Sequence, residues 1–357
     1  MEVPEVKKFL ERLDYAVYMT MLCTFQEVGF FKNTVQREPV SKFQLVYGKY
    51  KKYKVIIRWL NALDKEGYLN GEESSYQLAG PYYIASKDKC LIWEDLIRTV
   101  NEDICPKKVI EYFYENAKAV KQLITGEENP TWIFFPRAEF TYAEALYSDL
   151  MSARYLNTKL SQYISDYIKG IPDPVILEIG AGVGATTQTV LNELNNQGLV
   201  VKKYIYTDIS KFFLNYARDK FHGYPHMTYE IINVDYIDGA LINNGNKLDI
   251  IIAVGVLNNC KNINNTLQAI LKLIKPGGIF LVIESTVEFS AMLISQVFMM
   301  EKTSDQRNEE NITFFNCKQW EKNFKNNGFQ IVKMEPNEKA VELFGQKLFI
   351  LKRSKGM

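Results

Sequence analysis

Glu178 closes a short apolar run, Val175-Ile-Leu-Glu-Ile179. The chain then breaks into Gly180-Ala-Gly182-Val-Gly184-Ala185 before a helical stretch opens at Thr186 and Thr187. Glycines at that spacing let the backbone turn tightly and approach a ligand, with helical N–H groups aimed at it. Two further carboxylates follow at the expected places. Asp208 ends the next apolar run, Lys203-Tyr-Ile-Tyr-Thr-Asp208, and Asp235 follows a third run, Met227 to Asn233. The glycine pattern also satisfies the loose dinucleotide signature with alanine last. Glu178 argues against that ligand, because a carboxylate at the strand end repels a pyrophosphate. It suits the ammonium of a methionyl group instead, while Asp208 suits ribose hydroxyls and Asp235 the adenine edge. S-adenosylmethionine (SAM), which carries no phosphate, fits this set better than a nicotinamide dinucleotide. Ala181 in the turn, Ile209 after Asp208 and Val254 at the end of the fourth run complete the candidate cofactor residues.

The elements that must hold these groups alternate in type. Leu248 to Val254 is a very apolar strand, followed by the loop Gly255-Val-Leu-Asn-Asn-Cys260, a helix over 263–274, and a strand from Lys275-Pro-Gly-Gly278 to Val282-Ile-Glu284. A helix around Trp320, a strand over 328–333 and a last strand over 346–352 end the chain. Strands alternating with helices predict a mostly parallel sheet covered on both faces. This order over residues 150–355 resembles the class I SAM-dependent methyltransferases, an α/β fold with a Rossmann-like seven-stranded sheet. The resemblance implies a final hairpin that inserts one antiparallel strand.

Three phrases narrow the resemblance. Phe135-Pro136 is followed by Ala143-Glu-Ala-Leu-Tyr147 and Ala153-Arg-Tyr-Leu-Asn157. Tyr206-Thr-Asp-Ile-Ser-Lys-Phe-Phe213 forms the second block, and Lys275-Pro-Gly-Gly through Glu284 the third. In this order they look like the methyltransferase domains of polyketide synthases and hybrid nonribosomal peptide synthetases. The resemblance implies a freestanding tailoring methyltransferase of natural-product biosynthesis. Its carbon-methylating members carry a histidine in the loop after the fourth strand, paired with a glutamate after the fifth. Glu284 matches the glutamate, but Asn258 stands where the histidine is expected. The two histidines of the chain, His222 and His226, both lie before the third strand, on the expected surface. A histidine base is therefore not carried over. Asn258 can orient an amine, amide or hydroxyl, and Glu284 at a buried strand end can act as base. These two are the candidate catalytic residues, and they shift the expected acceptor from carbon towards nitrogen or oxygen. A structural role, as a loop amide and a hydrogen-bonded carboxylate, is the alternative for each.

Residues 1–128 read as a mainly helical cap, and 129–357 as the catalytic domain. The stretch Gly126 to Pro130 is the expected hinge. Within the cap, Val55, Ile56, Trp59, Leu60 and Leu63 fall at helical spacing, and a turn at 67–71 leads to a short strand at Ser75–Leu78. Helix, turn and hairpin in that order make a winged-helix-like pattern. Residues 86–128 read as further amphipathic helix, and Asn129 to Pro136 as an aromatic cluster that either lines a pocket or packs a joint. The basic run Lys49, Lys51, Lys52, Lys54 and Arg58 reads as a solvated face or as a dock for an acidic carrier protein. A SAM-sensing DNA-binding regulator is the rival function, and a catalytically silent structural partner the other.

Composition agrees with the enzyme reading. The chain has 357 residues, 47% hydrophobic, enough for two cores. Its 43 Lys+Arg against 42 Asp+Glu leave a net charge of +1, without the basic excess of a nucleic-acid binder. Its five cysteines stand apart, with no CxxC pair, so no metal is expected. The polar start and the lack of a membrane-length apolar run predict a cytoplasmic protein. The expected substrate is a small molecule or a carrier-bound intermediate, and a homodimer is left open. Met292, Leu293, Val297 and Phe298 read as a pocket wall or as ordinary helix packing. Asp305 and Arg307 lie in a polar loop beyond them, either gating the pocket or pairing with each other.

Overall fold

Apolar strands that alternate with amphipathic helices can bury both faces of a sheet only if the helices are shared between those faces. The computed structural model, which describes residues 2–237, 242 and 246–354, has this arrangement in one of two compact units. That unit comprises Tyr147–Val287 and Glu301–Met357, and the other comprises Met1–Leu146 and Glu288–Met300. The division falls at 146/147 rather than at the expected 128/129. The Gly126 signal marks a helix end, its left-handed φ of +80° closing the helix Lys107–Thr125. The chain beyond it stays with the first unit, where Phe134 packs on Tyr112 with ring centroids 4.7 Å apart.

The first unit is built on α1 (Val3–Glu27), β1 (Glu38–Pro39), α2 (Val40–Tyr47), α3 (Tyr53–Lys65), β2 (Leu69–Glu72) and β3 (Ser75–Leu78). The strands pair antiparallel in the order β1-β3-β2, which completes the winged-helix pattern. All five apolar residues expected on one stripe of α3 are buried. Residues 86–128 form two helices, α4 (Ser86–Thr99) and α5 (Lys107–Thr125), because the backbone turns extended at Val100 and Pro106 starts a new helix. The expected aromatic cluster divides as well: Phe134 is buried, while Trp132 is 69% exposed.

Residues 288–300 belong to this first unit. Leu293, Val297 and Phe298 are buried there, and the Leu293 carbonyl accepts the Trp59 indole N–H at 2.8 Å. The Lys52 ammonium donates to the Met300 carbonyl at 2.9 Å. Leu293, Val297 and Phe298 thus pack inside the unit, Met292 is half-buried, and one lysine of the basic run is already engaged.

The second unit contains a sheet of β4 (Val175–Ile179), β5 (Lys203–Asp208), β6 (Met227–Ile231), β7 (Leu248–Val254), β8 (Ile274–Ser285), β9 (Phe329–Glu335) and β10 (Gln346–Arg353). Their order is β6-β5-β4-β7-β8-β10-β9. The first five are parallel, and β10 enters antiparallel between β8 and β9. Side chains alternate between faces. Val175, Leu177 and Ile179 join the helices Ile263–Leu273 and Cys317–Asn326 in one core. Ile176, Tyr204 and Tyr206 join Met151–Ile168, Ala185–Asn196 and Lys211–Lys220 in the other. The strand order reverses between β4 and β7, and the crevice at their carboxyl ends is where such sheets take ligands. Among the described residues no helix is long and apolar enough to cross a membrane.

Candidate active site

Every candidate residue lies on the carboxyl ends of β4 to β8 or on the turns that leave them. The turn after β4 uses three left-handed glycines, Gly180, Gly182 and Gly184, at φ +64°, +58° and +72°. Their surroundings differ. A Cβ on Gly180 would fall 2.6 Å from Val256 Cγ2, and one on Gly184 would fall 2.7 Å from Phe221 Cε2. A Cβ on Gly182 meets nothing within 4 Å. Two glycines therefore serve close packing, and the third borders open space. The turn is tied to β5 by Ala181 N–H donating to the Thr207 carbonyl (2.8 Å) and by the Tyr206 hydroxyl donating to the Gly182 carbonyl (2.6 Å).

Asp208 ends β5 beside this turn. Its carboxylate accepts the Gly182 N–H at 3.0 Å on one oxygen and the Ser210 N–H at 2.8 Å on the other. Burial pushes its pKa up, against these backbone bonds. Ile209 beyond it is 63% exposed, whereas Ala181 and Val254 are half-buried. Asp235 is also half-buried and accepts the Lys261 N–H at 2.6 Å, which joins the loops after β6 and β7.

Glu178 is buried more deeply than Asp208. By alternation it shares the Ile176 face of β4, where Thr187 and Tyr204 hydroxyls both donate to Oε2 at 2.5 Å. It is buried, and desolvation raises its pKa to about 7. Its Oε1 makes no hydrogen bond among the described residues. Sequence reading missed the two hydroxyl partners. Tyr204 could have been placed on the right face by strand alternation, but Thr187 comes from the following helix and leaves no such sign.

The second centre joins β7 and β8. The Glu284 Oε1 accepts the Leu257 and Asn258 N–H groups at 2.6 and 3.4 Å, and Oε2 accepts the Asn258 Nδ2 at 2.7 Å. Asn258 Nδ2 also donates to the Ser285 carbonyl at 3.2 Å. These bonds fix the amide orientation, since the reverse would set two acceptors face to face. Asn258 Oδ1 is left buried with no hydrogen-bond partner among the described residues. Desolvation raises the Glu284 pKa to about 7, although its three hydrogen bonds and nearby Arg307 act the other way.

Asp305 and Arg307 form an ion pair with N–O 2.6 Å, and Arg307 is wholly buried. Of the two readings of this polar stretch, pairing is the one the structure shows; nothing in the spacing shows that the pair faces inward. His222 and His226 are both exposed, as expected.

A family model described as a methyltransferase domain matches residues 177–280. Pyochelin synthetase PchF of Pseudomonas aeruginosa is 24% identical over 316 residues, which are 86% of this chain and 17% of that protein. Polyketide synthase PksR of Bacillus subtilis is 27% identical over 278 residues, 74% of this chain and 10% of that one. The chain thus spans under a fifth of either relative. The crystal structure of the CurJ carbon methyltransferase superimposes with a TM-score of 0.88 at 21% identity, covering 99% of this chain and 94% of that one, which shows a shared fold.

Proposed function

We propose that the chain, whose residues 177–280 match a methyltransferase domain, is a class I SAM-dependent enzyme that methylates nitrogen or oxygen of a small-molecule or carrier-tethered peptide–polyketide intermediate. The observation that carries the choice of atom is the Asn258–Glu284 pair. A buried acceptor without a partner costs about 1–3 kcal/mol. An acceptor amine, amide or hydroxyl supplies the missing donor to Asn258 Oδ1, and a carbon nucleophile supplies no comparable one.

The residues around the glycine turn fit the cofactor. Gly182 would border it, since a Cβ there meets nothing within 4 Å, Asp208 would hold ribose hydroxyls through lone pairs its backbone bonds leave, and Asp235 would meet the adenine edge. Glu178 Oε1 would take the methionyl ammonium, with Ala181, Ile209 and Val254 as apolar walls. When bound, SAM supplies an electrophilic methyl group on a sulfonium. The protein's task is then largely orientation of the nucleophile. Asn258, fixed at its amide by Glu284, aligns the acceptor N–H or O–H. Glu284 has three of its roughly four acceptor positions filled; the fourth can receive a second N–H proton of an amine, or the single proton of a hydroxyl that turns from Asn258 Oδ1 to Glu284 as the methyl bond forms. An amine places little demand on that base, and a hydroxyl places more. An acidic carrier protein remains the proposed partner of the basic run in the first unit. DNA binding is not supported, since Lys52 of the basic run donates to the Met300 carbonyl and Trp59 of the same helical region to the Leu293 carbonyl.

Glycyl, 3-hydroxybutyryl and acetoacetyl pantetheine thioesters separate the acceptor classes when S-adenosylhomocysteine release and product mass are followed. Turnover is expected with the first or second. Turnover confined to the acetoacetyl thioester would show carbon methylation and refute the choice of atom. Asn258→Ala is expected to lower kcat/KM on the preferred acceptor about tenfold to a hundredfold, the equivalent of the unmade hydrogen bond.

A further inference from the structure

The loop that carries Asn258 is gripped from two sides. Glu284 takes its N–H groups at Leu257 and Asn258 and its side-chain amide. Arg307 takes its carbonyls: Nη1 donates to Asn258 O at 2.6 Å and Nη2 to Cys260 O at 2.7 Å. The guanidinium is itself fixed by Asp305, which accepts Nε at 2.9 Å and Nη2 at 2.6 Å, and it lies 4.8 Å from the Phe315 ring centroid. Asp305 Oδ2 also accepts the N–H of Ile263, the first residue of the next helix, at 3.0 Å. The Ser304 N–H donates to Lys261 O at 2.7 Å. Residues 304–307 thus hold both the middle and the far end of the loop. The buried pair exceeds what a surface loop requires, because removing two charges from water is costly unless every bond is met.

We propose that Asp305 and Arg307 are positioning residues of the acceptor site, which clamp the backbone of Asn258 so that its side chain stays in register with Glu284. The inference rests on the acceptor role of Asn258 given above. Arginine is required for it, since its planar fork serves a carboxylate and two carbonyls together, which a lysine ammonium cannot do.

Arg307→Met alone strands Asp305 as a buried unpaired charge and can unfold the unit. The double variant Asp305→Leu/Arg307→Met removes both charges and keeps the volume apolar. Arg307→Lys is the companion that keeps the charge and loses the fork. Amide hydrogen exchange is read at Leu257 and Asn258, with Ala181 N–H in the glycine turn as internal control. The expected result is at least hundredfold faster exchange at 257 and 258, unchanged exchange at 181, and SAM affinity within about twofold of wild type. In the same proteins kcat should fall more than thirtyfold, with only partial recovery in Arg307→Lys. Wild-type exchange at 257 and 258 in the folded double variant would overturn the clamp, as would an equal loss of protection at 181. Exchange is read without turnover, so a wild-type protein inactive on all three thioesters would count against the acceptor assignment and not against the clamp.

Discussion

Gly182→Asn is expected to weaken binding of SAM and S-adenosylhomocysteine at least a hundredfold, about 2.7 kcal/mol, while the protein stays folded. Asparagine tolerates a left-handed backbone better than other side chains, so φ +58° at this position costs little. Its side chain enters the space that a Cβ would meet empty, which is the space assigned to the cofactor. Gly184→Asn has similar backbone strain and a different outcome. There the new Cβ falls 2.7 Å from the buried Phe221 ring, an overpacking of about 1–3 kcal/mol. Its main effect should be a Tm lowered by roughly 5–10 °C. Calorimetric titration and thermal melts on both variants read the contrast. Wild-type SAM affinity in Gly182→Asn would remove the glycine turn from the cofactor site.

The second large effect concerns Glu284. At saturating SAM, kcat for a hydroxyl acceptor should fall about tenfold per pH unit below about 7, where burial places its pKa. The sign follows from the role: the base must be a carboxylate, and protonation removes it. Glu284→Gln should lower kcat by about a hundredfold to ten-thousandfold and flatten this limb. Burial raises the Glu178 pKa to about 7 as well, but this carboxylate acts in cofactor binding, so its signature is SAM affinity that rises with pH to about 7 and then levels. Both folded-state values lie above the ordinary carboxylate value. Their contribution to stability is therefore full below about 4.5 and is lost as pH rises through about 7. A kcat profile unchanged in Glu284→Gln would leave that carboxylate a purely structural acceptor.

The parts of this fold that could be read in the sequence are those set by local rules. The glycine turn, the apolar strands and the α3 stripe each declare themselves within a dozen residues, because backbone conformation and side-chain alternation are local properties. Glu178 and Glu284 were legible as strand-end carboxylates for the same reason. Their partners were less so. Thr187 reaches Glu178 from the following helix, and Arg307 reaches Asn258 across 49 residues of chain. The pairing of Asp305 with Arg307 was one of two readings the spacing allowed, but its burial was not legible, because charge alone does not tell which way a loop faces. The apolar residues around Leu293 announced burial without saying in which unit, and Gly126 announced a helix end that passed for a domain boundary.

The excursion of residues 288–300 into the first unit has a consequence for synthesis on the ribosome. Trp59 has its hydrogen-bond partner at Leu293, so the helices and wing made first must wait for chain made much later. At about 5–20 residues per second, the interval between residues 146 and 300 is roughly ten to thirty seconds. During it the first unit lacks Leu293, Val297 and Phe298 from its interior. Emergence order and folding order therefore cannot coincide, and the amino-terminal unit completes itself only after most of the parallel sheet has been translated.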